Sequence, residues 1–191
     1  MGKEFDKEVL TARIIGVVND AFSKMLRVKP SAEPVVGEKD IIEFDSRMRV
    51  FPMEKFNSPA YVSCVNFYSS QKDLDSGYAV GTFVLIIKEE VAEKLLHAFG
   101  RLLKDSDSEE AVMDCVGEFC NILAGNLKNE LTAIGYAEVL LSSPLKYKNS
   151  VLEGVPFDYE LYTKQELAFT FWNQKCVVIE ACLGNIPQSK G

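Results

Sequence analysis

Residues 109–134 read EEAVMDCVGEFCNILAGNLKNELTAI. Apolar residues recur in this stretch at intervals typical of a helix, at Val112, Val116, Phe119, Leu123, Leu127 and Ile134. This period predicts a long amphipathic helix that buries one face. The polar residues 104–108 precede it and can cap its first turn, and Gly135 can end it. The segment therefore predicts one long helix packed on the core of the domain.

The opposite face of this helix carries a polar stripe. Its members are Asp114, Glu118, Asn121, Gly125 and Lys128. At the rotation of an α-helix, about 100° per residue, they fall within roughly 80° of arc. The glycine leaves room for another backbone to approach. A Glu-x-x-Asn pair alone most often marks a solvated helix face, so its meaning depends on the surrounding sequence.

The rest of the chain predicts two more helices and a set of strands. The helices cover residues 8–28, which Pro30 ends, and residues 88–103. The strands cover residues 61–68, 78–87, 137–142, 157–162, 167–172 and 177–183. The first two strands predict a hairpin, and a turn at Asn173-Gln174 joins the last two. Long helices packed on a mainly antiparallel sheet form a two-layer sandwich of the α+β class, here a single domain over residues 1–191.

Residues 29–60 give weaker indications of secondary structure. Two prolines, a glycine and several charges predict a loop over residues 29–40. Residues 41–44 fit a short strand, but Pro52 and Pro59 interrupt the pattern after them. We interpret residues 41–60 as an insertion that covers a sheet edge or adjusts a partner interface.

The composition indicates a globular protein and excludes several classes. The 191 residues are 47% hydrophobic and 26% charged, which is enough apolar sequence to bury a core. Lys and Arg number 21 against 28 Asp and Glu, so the net charge is −7 and no basic surface suits nucleic acid. No apolar run approaches the roughly 20 residues of a membrane helix. We expect a soluble cytoplasmic protein that binds neither nucleic acid nor membrane.

Cysteine and histidine chemistry is not favoured. The five cysteines form no CxxC pair, and we expect reduced, mostly buried thiols. The single histidine, His97, lies in an ordinary amphipathic helical pattern and cannot build a His/Cys zinc site. We therefore expect no metal site of the protein's own.

The run from Asp114 to Leu131 resembles the signature helix of the CheC/CheX/FliY family of bacterial chemotaxis phosphatases. The family pattern is Asp or Ser, three residues, Glu, two residues, Asn, then 22 residues and Pro. Asp114, Glu118, Asn121 and Pro144 match it at every spacing. CheC-type members carry a second Glu/Asn helix, whereas the first predicted helix here lacks such a pair. The chain is therefore more similar to the single-site CheX type.

The resemblance implies hydrolysis of the phosphoaspartate of a CheY-type response regulator. Asn121 would orient the attacking water, and Glu118 would pair with a lysine of the regulator. Both side chains leave one helix about one turn apart, so ordering them costs little. The regulator would supply the phosphoryl group and its Mg²⁺, and the enzyme would supply no cofactor of its own. The resemblance also implies a homodimer, which we expect to form through exposed strand edges.

The remaining residues of the family pattern and of the polar stripe are assigned supporting roles. We interpret Asp114 as a rim contact or support, and Pro144 as shaping the loop beside the helix. Gly125 and Lys128 are assigned to partner binding or support. Because a net charge of −7 does not attract an acidic regulator, electrostatic steering is either local, with Lys128 as a candidate for it, or absent.

Two other functions stay open at this point. A CheX-like domain could bind a response regulator or a flagellar-switch component without hydrolysing anything, although a pure binding module has no need of a water-positioning amide. A more distant alternative is a small-molecule-binding α+β domain with Phe169, Phe171 and Trp172 around its pocket. Aromatic residues of this kind are more commonly part of a core.

Overall fold

The computed structural model describes residues 6–44, 47–99, 109–136, 139–149, 152–156 and 163–184. The helices in these ranges are α1 (Lys7–Ala21), α2 (Pro52–Phe56), α3 (Gln71–Ser76), α4 (Glu89–Ala98) and α5 (Glu109–Ala133). The strands are β1 (Ala32–Asp40), β2 (Glu43–Phe44), β3 (Arg47–Val50), β4 (Ala60–Tyr68), β5 (Gly81–Lys88), β6 (Leu140–Leu141), β7 (Leu145–Lys148), β8 (Leu152–Pro156), β9 (Thr163–Phe171) and β10 (Gln174–Leu183). A π-helical turn, Phe22–Leu26, continues α1, and together they confirm the first predicted helix.

Seven strands form the main sheet, in the order β1-β9-β10-β5-β4-β6, with β7 also paired to β4. Every described pairing in this sheet is antiparallel. β6 pairs with one end of β4 and β7 with the other end, so two short strands share the outer edge of β4. β2, β3 and β8 form a small second sheet. The predicted α+β sandwich is confirmed.

Helices α1, α4 and α5 cover one face of the main sheet. Side chains alternate along β4: Tyr61, Val65 and Phe67 belong to the core beneath the helices, while Val62 and Cys64 belong to a separate cluster on the other face. All residues of β4 are buried, which explains its almost continuous apolar sequence. The helix layer thus rests on a sheet whose central strands, β4, β5 and β10, are buried on both faces.

Part of the segment 41–60 covers the second face of the sheet. β3 buries Met48 in the cluster on that face. Lys55 of α2 reaches two carboxylates of the sheet, Glu166 at 2.5 Å and Glu180 at 2.6 Å. The segment therefore covers a sheet face, and the expectation that it covers a sheet edge is wrong.

The loop predicted over residues 29–40 is also wrong, because β1 occupies most of it. β1 pairs with β9, and none of its side chains is buried. A strand that is exposed on both faces has no apolar alternation to mark it in the sequence. Pro34 lies where the register shifts between Ala32 and Val35, a position that an edge strand tolerates.

Other boundaries differ from the prediction in smaller ways. The predicted hairpin of β4 and β5 is confirmed, although α3 lies in its connection. The final turn is at Trp172-Asn173, one residue earlier than predicted, and both residues have the positive φ that a two-residue hairpin loop requires. α4 ends at Ala98, short of its predicted end. Residues 100–108, with the predicted caps, and the predicted strand 157–162 lie outside the described residues.

Candidate functional site

Helix α5 packs its apolar residues on the sheet as predicted. The core positions Val112, Val116, Phe119, Leu123 and Leu127 are all buried. Ile134 is half-buried and lies just after the last helical residue, Ala133. Gly135 follows with φ 105°, a conformation that other residues avoid. Packing against the core therefore determines which face of α5 points outward.

The polar stripe of α5 lies on this outer face. Glu118 and Asn121 are exposed, whereas Asp114, Gly125 and Lys128 are half-buried. Apart from its chain neighbours and the backbone of its own helix, an ideal Cβ on Gly125 would meet no atom of the described residues within 4 Å, so there is room at this turn for an incoming molecule. Glu118 and Asn121 are thus the members of the stripe most accessible to a partner.

The turn that carries Glu118 and Asn121 rests on a stack of aromatic rings. Phe119 meets Phe22 edge to face, with ring centroids 5.4 Å apart. Phe22 in turn stacks on Phe171, with centroids 4.0 Å apart. All three rings are fully buried. Aromatic contacts of this kind stabilise the fold by more than the burial of the rings alone. The core therefore holds in place the backbone that bears the two exposed side chains.

One side of the site is formed by residues 142–148, which we call the rim segment. It runs antiparallel to α5. Lys148 Nζ lies 3.0 Å from a carboxylate oxygen of Glu109, and Lys146 forms an ion pair with Asp114. Going back along the rim segment from Lys148 to Lys146 therefore corresponds to going forward along α5 from Glu109 to Asp114.

Gly117 allows the rim segment to approach α5 closely. An ideal Cβ at this position would lie 2.5 Å from Lys146 Cδ and 3.6 Å from Pro144 Cγ. Any side chain there would displace Lys146. The fold thus brings the two outer members of the sequence pattern to the same segment: Pro144 lies beside Gly117, and Asp114 contacts the segment through Lys146.

On the other side of the stripe, α1 and α5 enclose a groove of about 490 Å³. Its lining includes Gly16, Lys24, Met25, Ile122, Asn126 and Asn129. Two ion pairs neutralise its charges, Lys24 with Asp20 at 2.9 Å and Arg13 with Glu130 at 3.0 Å. The sequence does not reveal this groove, because its residues come from segments that are far apart in the chain.

The thiols and the histidine form no candidate metal site among the described residues. None of the five cysteines forms a disulfide, and all five are buried, as predicted. Burial raises the pKa of the Cys120 thiol to about 12, so this neighbour of Asn121 is protonated at neutral pH and is a poor nucleophile. His97 is exposed on α4. Within the described ranges, no group of three or more His, Cys, Asp or Glu residues could hold a metal ion.

The three aromatic residues considered for a small-molecule pocket do not form one. Phe169 and Phe171 are fully buried in the main core, with ring centroids 6.3 Å apart. Trp172 lies in the turn between β9 and β10, where Lys94 Nζ is 4.1 Å from its ring centroid. These rings therefore belong to the core and to a surface turn.

Comparison with known proteins supports the family resemblance. Residues 71–154, which include α5 and Pro144, match the family model described as chemotaxis phosphatase CheX. No curated protein matches the chain significantly. This match confirms the resemblance to the CheC/CheX/FliY family that the sequence indicated, and the solved structures described next share the fold.

Three solved structures illustrate the shared fold. A CheC-like superfamily protein from Shewanella sp. PV-4 has a TM-score of 0.61 at 17% identity, over 91% of this chain and 96% of that one. The chemotaxis protein CheX from Vibrio vulnificus has a TM-score of 0.59 at 16% identity, over 91% and 97%. The CheX–CheY–BeF3–Mg²⁺ complex from Borrelia burgdorferi has a TM-score of 0.55 at 13% identity, over 95% and 100%. At these identities the similarity establishes the fold.

Proposed function

We propose that this protein is a phosphatase that hydrolyses the phosphoaspartate of a CheY-type response regulator. The observation that carries the proposal is the placement of Glu118 and Asn121, which are exposed about one turn apart on a helix whose other face is buried. This helix lies within the residues that match the CheX family model. The exposed pair is thus available to a docked partner while the core fixes its position.

The proposed reaction is an in-line displacement at phosphorus. The oxygen of water bonds to phosphorus as the bond to the aspartyl oxygen breaks. The products are a free aspartate carboxylate and inorganic phosphate, which carries both protons of the water until it equilibrates with solvent. Because phosphoryl transfer depends mainly on positioning and on charge stabilisation, the enzyme needs no covalent intermediate.

Asn121 is assigned to the attacking water. Its side-chain oxygen accepts a hydrogen bond from the water, while its amide nitrogen donates one to the substrate. The amide performs both roles without changing its own protonation state. The position of Asn121 on a helix that is held by the core reduces the entropy lost when the water is aligned.

Glu118 is assigned to docking. Its carboxylate pairs with a lysine of the regulator and fixes the position of the regulator along α5. The two side chains leave the same rigid helix with an i, i+3 spacing, so correct docking by Glu118 also places Asn121 at the phosphoryl group. Gly125, with open space beside it, and Lys128 extend the same docking face.

The regulator is proposed to bring the phosphoryl group and Mg²⁺, and the protein adds no cofactor of its own. A CheY-type partner is supported by the Borrelia burgdorferi structure, in which a CheX protein of this fold is in complex with CheY. Such a partner would place the activity in the cytoplasm. Within the described part of the chain, no helix is long and apolar enough to cross a membrane.

A homodimer through β1 is part of the proposal. Among the described strands, β1 pairs with β9 and lies at the end of the main sheet. Its side chains Val35 and Val36 are 72% and 43% exposed. An exposed edge strand with apolar side chains is suited to pairing with a second copy of the chain.

The test is phosphate release from a phosphorylated CheY-type regulator of the same organism, with the protein at a small fraction of the regulator concentration. We expect faster release and many turnovers per protein molecule. If the protein binds the phosphorylated regulator but leaves its lifetime unchanged, it is a binding module and the proposed phosphatase activity is wrong.

A further inference from the structure

The side chain of Lys146 connects the rim segment to α5 at two successive places. Its methylene groups lie over Gly117, with Cδ and Cγ 2.5 and 3.0 Å from the position of an ideal Cβ there. Its ammonium group then reaches Asp114, almost one turn earlier in the helix. Lys146 therefore spans the turn that immediately precedes Glu118.

The rim segment is also anchored to the sheet. Ser142 N donates a hydrogen bond to the carbonyl oxygen of Asn66, and Asn66 N donates one to Ser142 Oγ, both at 3.0 Å. At the other end, Lys148 Nζ lies 2.7 Å from a carboxylate oxygen of Glu89 and also pairs with Glu109. The rim segment is thus anchored on both sides of Lys146, whose own side chain contacts α5.

We propose that Lys146 is a positioning residue of the site. Lying across Gly117 and paired with Asp114, it holds the rim segment against the turn of α5 that leads directly into Glu118 and Asn121. Its effect on turnover rests on the proposed function, whereas its effect on the mobility of the turn does not.

The exposure of the ion pair indicates positioning more than global stability. The side chains of Lys146 and Asp114 are 35% and 47% exposed. Exposed ion pairs contribute little to the free energy of unfolding because solvent screens them. The loss of this pair is therefore expected to show in the local order of α5 and in catalysis, with little change in the unfolding midpoint.

Four single variants separate these effects. Lys146→Met removes the charge and keeps most of the stem, whereas Lys146→Arg keeps the charge. Gly117→Ala places a methyl group where Lys146 lies. Gly16→Ala is the matched control, because it makes the same change within helix α1 at a position with no neighbouring atom within 4 Å of the added Cβ.

The first measurement is hydrogen exchange of the backbone amides of residues 117–121. We expect severalfold faster exchange in Lys146→Met and in Gly117→Ala, and exchange like the wild type in Lys146→Arg and in Gly16→Ala. The second measurement is kcat/KM for phosphate release, which we expect to fall at least about tenfold in the first two variants and to stay near the wild-type value in the other two.

A double variant distinguishes positioning from direct contact between Lys146 and the regulator. If Lys146 acts through Asp114, Asp114→Asn resembles Lys146→Met, and the double variant is no worse than either single variant. If Lys146 acts by contacting the regulator, Asp114→Asn keeps the wild-type kcat/KM, and the proposal is wrong.

Two further outcomes would overturn the proposal. Unchanged amide exchange in Lys146→Met would show that Lys146 does not hold the turn. Faster exchange with an unchanged kcat/KM would show a merely structural contact. If the wild type itself releases no phosphate, the proposed function fails, and the exchange measurement alone decides whether Lys146 holds the turn.

Discussion

Leu123 is fully buried beneath α5, whereas Ile122, the residue before it, is 37% exposed and lines the groove between α1 and α5. The two side chains have the same composition and are adjacent in one helix, so they differ mainly in the side of the helix on which they lie. Asn121 precedes them on the exposed side. The register of α5 thus separates residues that stabilise the fold from residues that are available to a partner.

The first prediction uses this pair of residues. Leu123→Ala is expected to lower the free energy of unfolding by about 2–5 kcal/mol, because it leaves a cavity in the core. Ile122→Ala is the matched control and is expected to lower it by less than about 1 kcal/mol. Urea unfolding of both variants measures the difference. Equal losses would contradict the described register of α5.

The second prediction concerns Glu118. Glu118→Gln removes the charge but keeps the shape of the side chain, and it is expected to raise KM for the phosphorylated regulator at least about tenfold because the docking ion pair is lost. Glu110→Ala, an exposed glutamate in the first turn of the same helix, is the control and should leave KM unchanged. Steady-state phosphate release measures both, and an unchanged KM in Glu118→Gln would contradict the assigned role.

The third prediction concerns the pH dependence of stability. Burial acts to raise the pKa of Glu166, but the hydrogen bond and charge of Lys55 outweigh it, so the pKa lies below its usual value of 4.5. The folded state therefore binds this proton less readily than the unfolded state does. The ionised carboxylate contributes stability above about pH 4.5, and this contribution is lost as the pH falls through the lower pKa of the folded state.

Lys55→Met tests this dependence. It is expected to lower the free energy of unfolding at neutral pH by an amount on the order of 2 kcal/mol, because the carboxylates of Glu166 and Glu180 lose a cation. The loss of stability in acid should also become shallower. Lys24→Met, which breaks the exposed pair with Asp20, is the control. Urea unfolding at several pH values measures both, and an unchanged acid dependence in Lys55→Met would be inconsistent with the role of this pair.

The sequence alone predicts the parts of the site that depend on local pattern. The helical period of residues 109–134 places Glu118 and Asn121 opposite the core, and the structure confirms that division. The spacing to Pro144 identifies a residue that the fold brings to within 3.6 Å of an ideal Cβ on Gly117. Both features are readable because helix periodicity and fixed spacing are properties of short stretches of chain.

The features that the sequence did not predict depend on contacts between distant segments. Lys146 and Asp114 are 32 residues apart, and no local pattern links them. β7 is only four residues long and carries two lysines, so it lacks the length and the apolar character that mark a strand. The burial of Met48 depends on the packing of β3 against the main sheet, which the short sequence of that strand does not reveal.

The most direct test of the proposed function compares Asn121→Ala with Asn129→Ala. Both replace an exposed asparagine of α5, but only Asn121 is assigned to the attacking water. The measurement is phosphate release from the phosphorylated regulator, made on variants with wild-type unfolding midpoints. We predict that Asn121→Ala lowers the accelerated rate at least about 10²-fold and that Asn129→Ala retains it. Acceleration by Asn121→Ala equal to that of the wild type would contradict the assignment of Asn121.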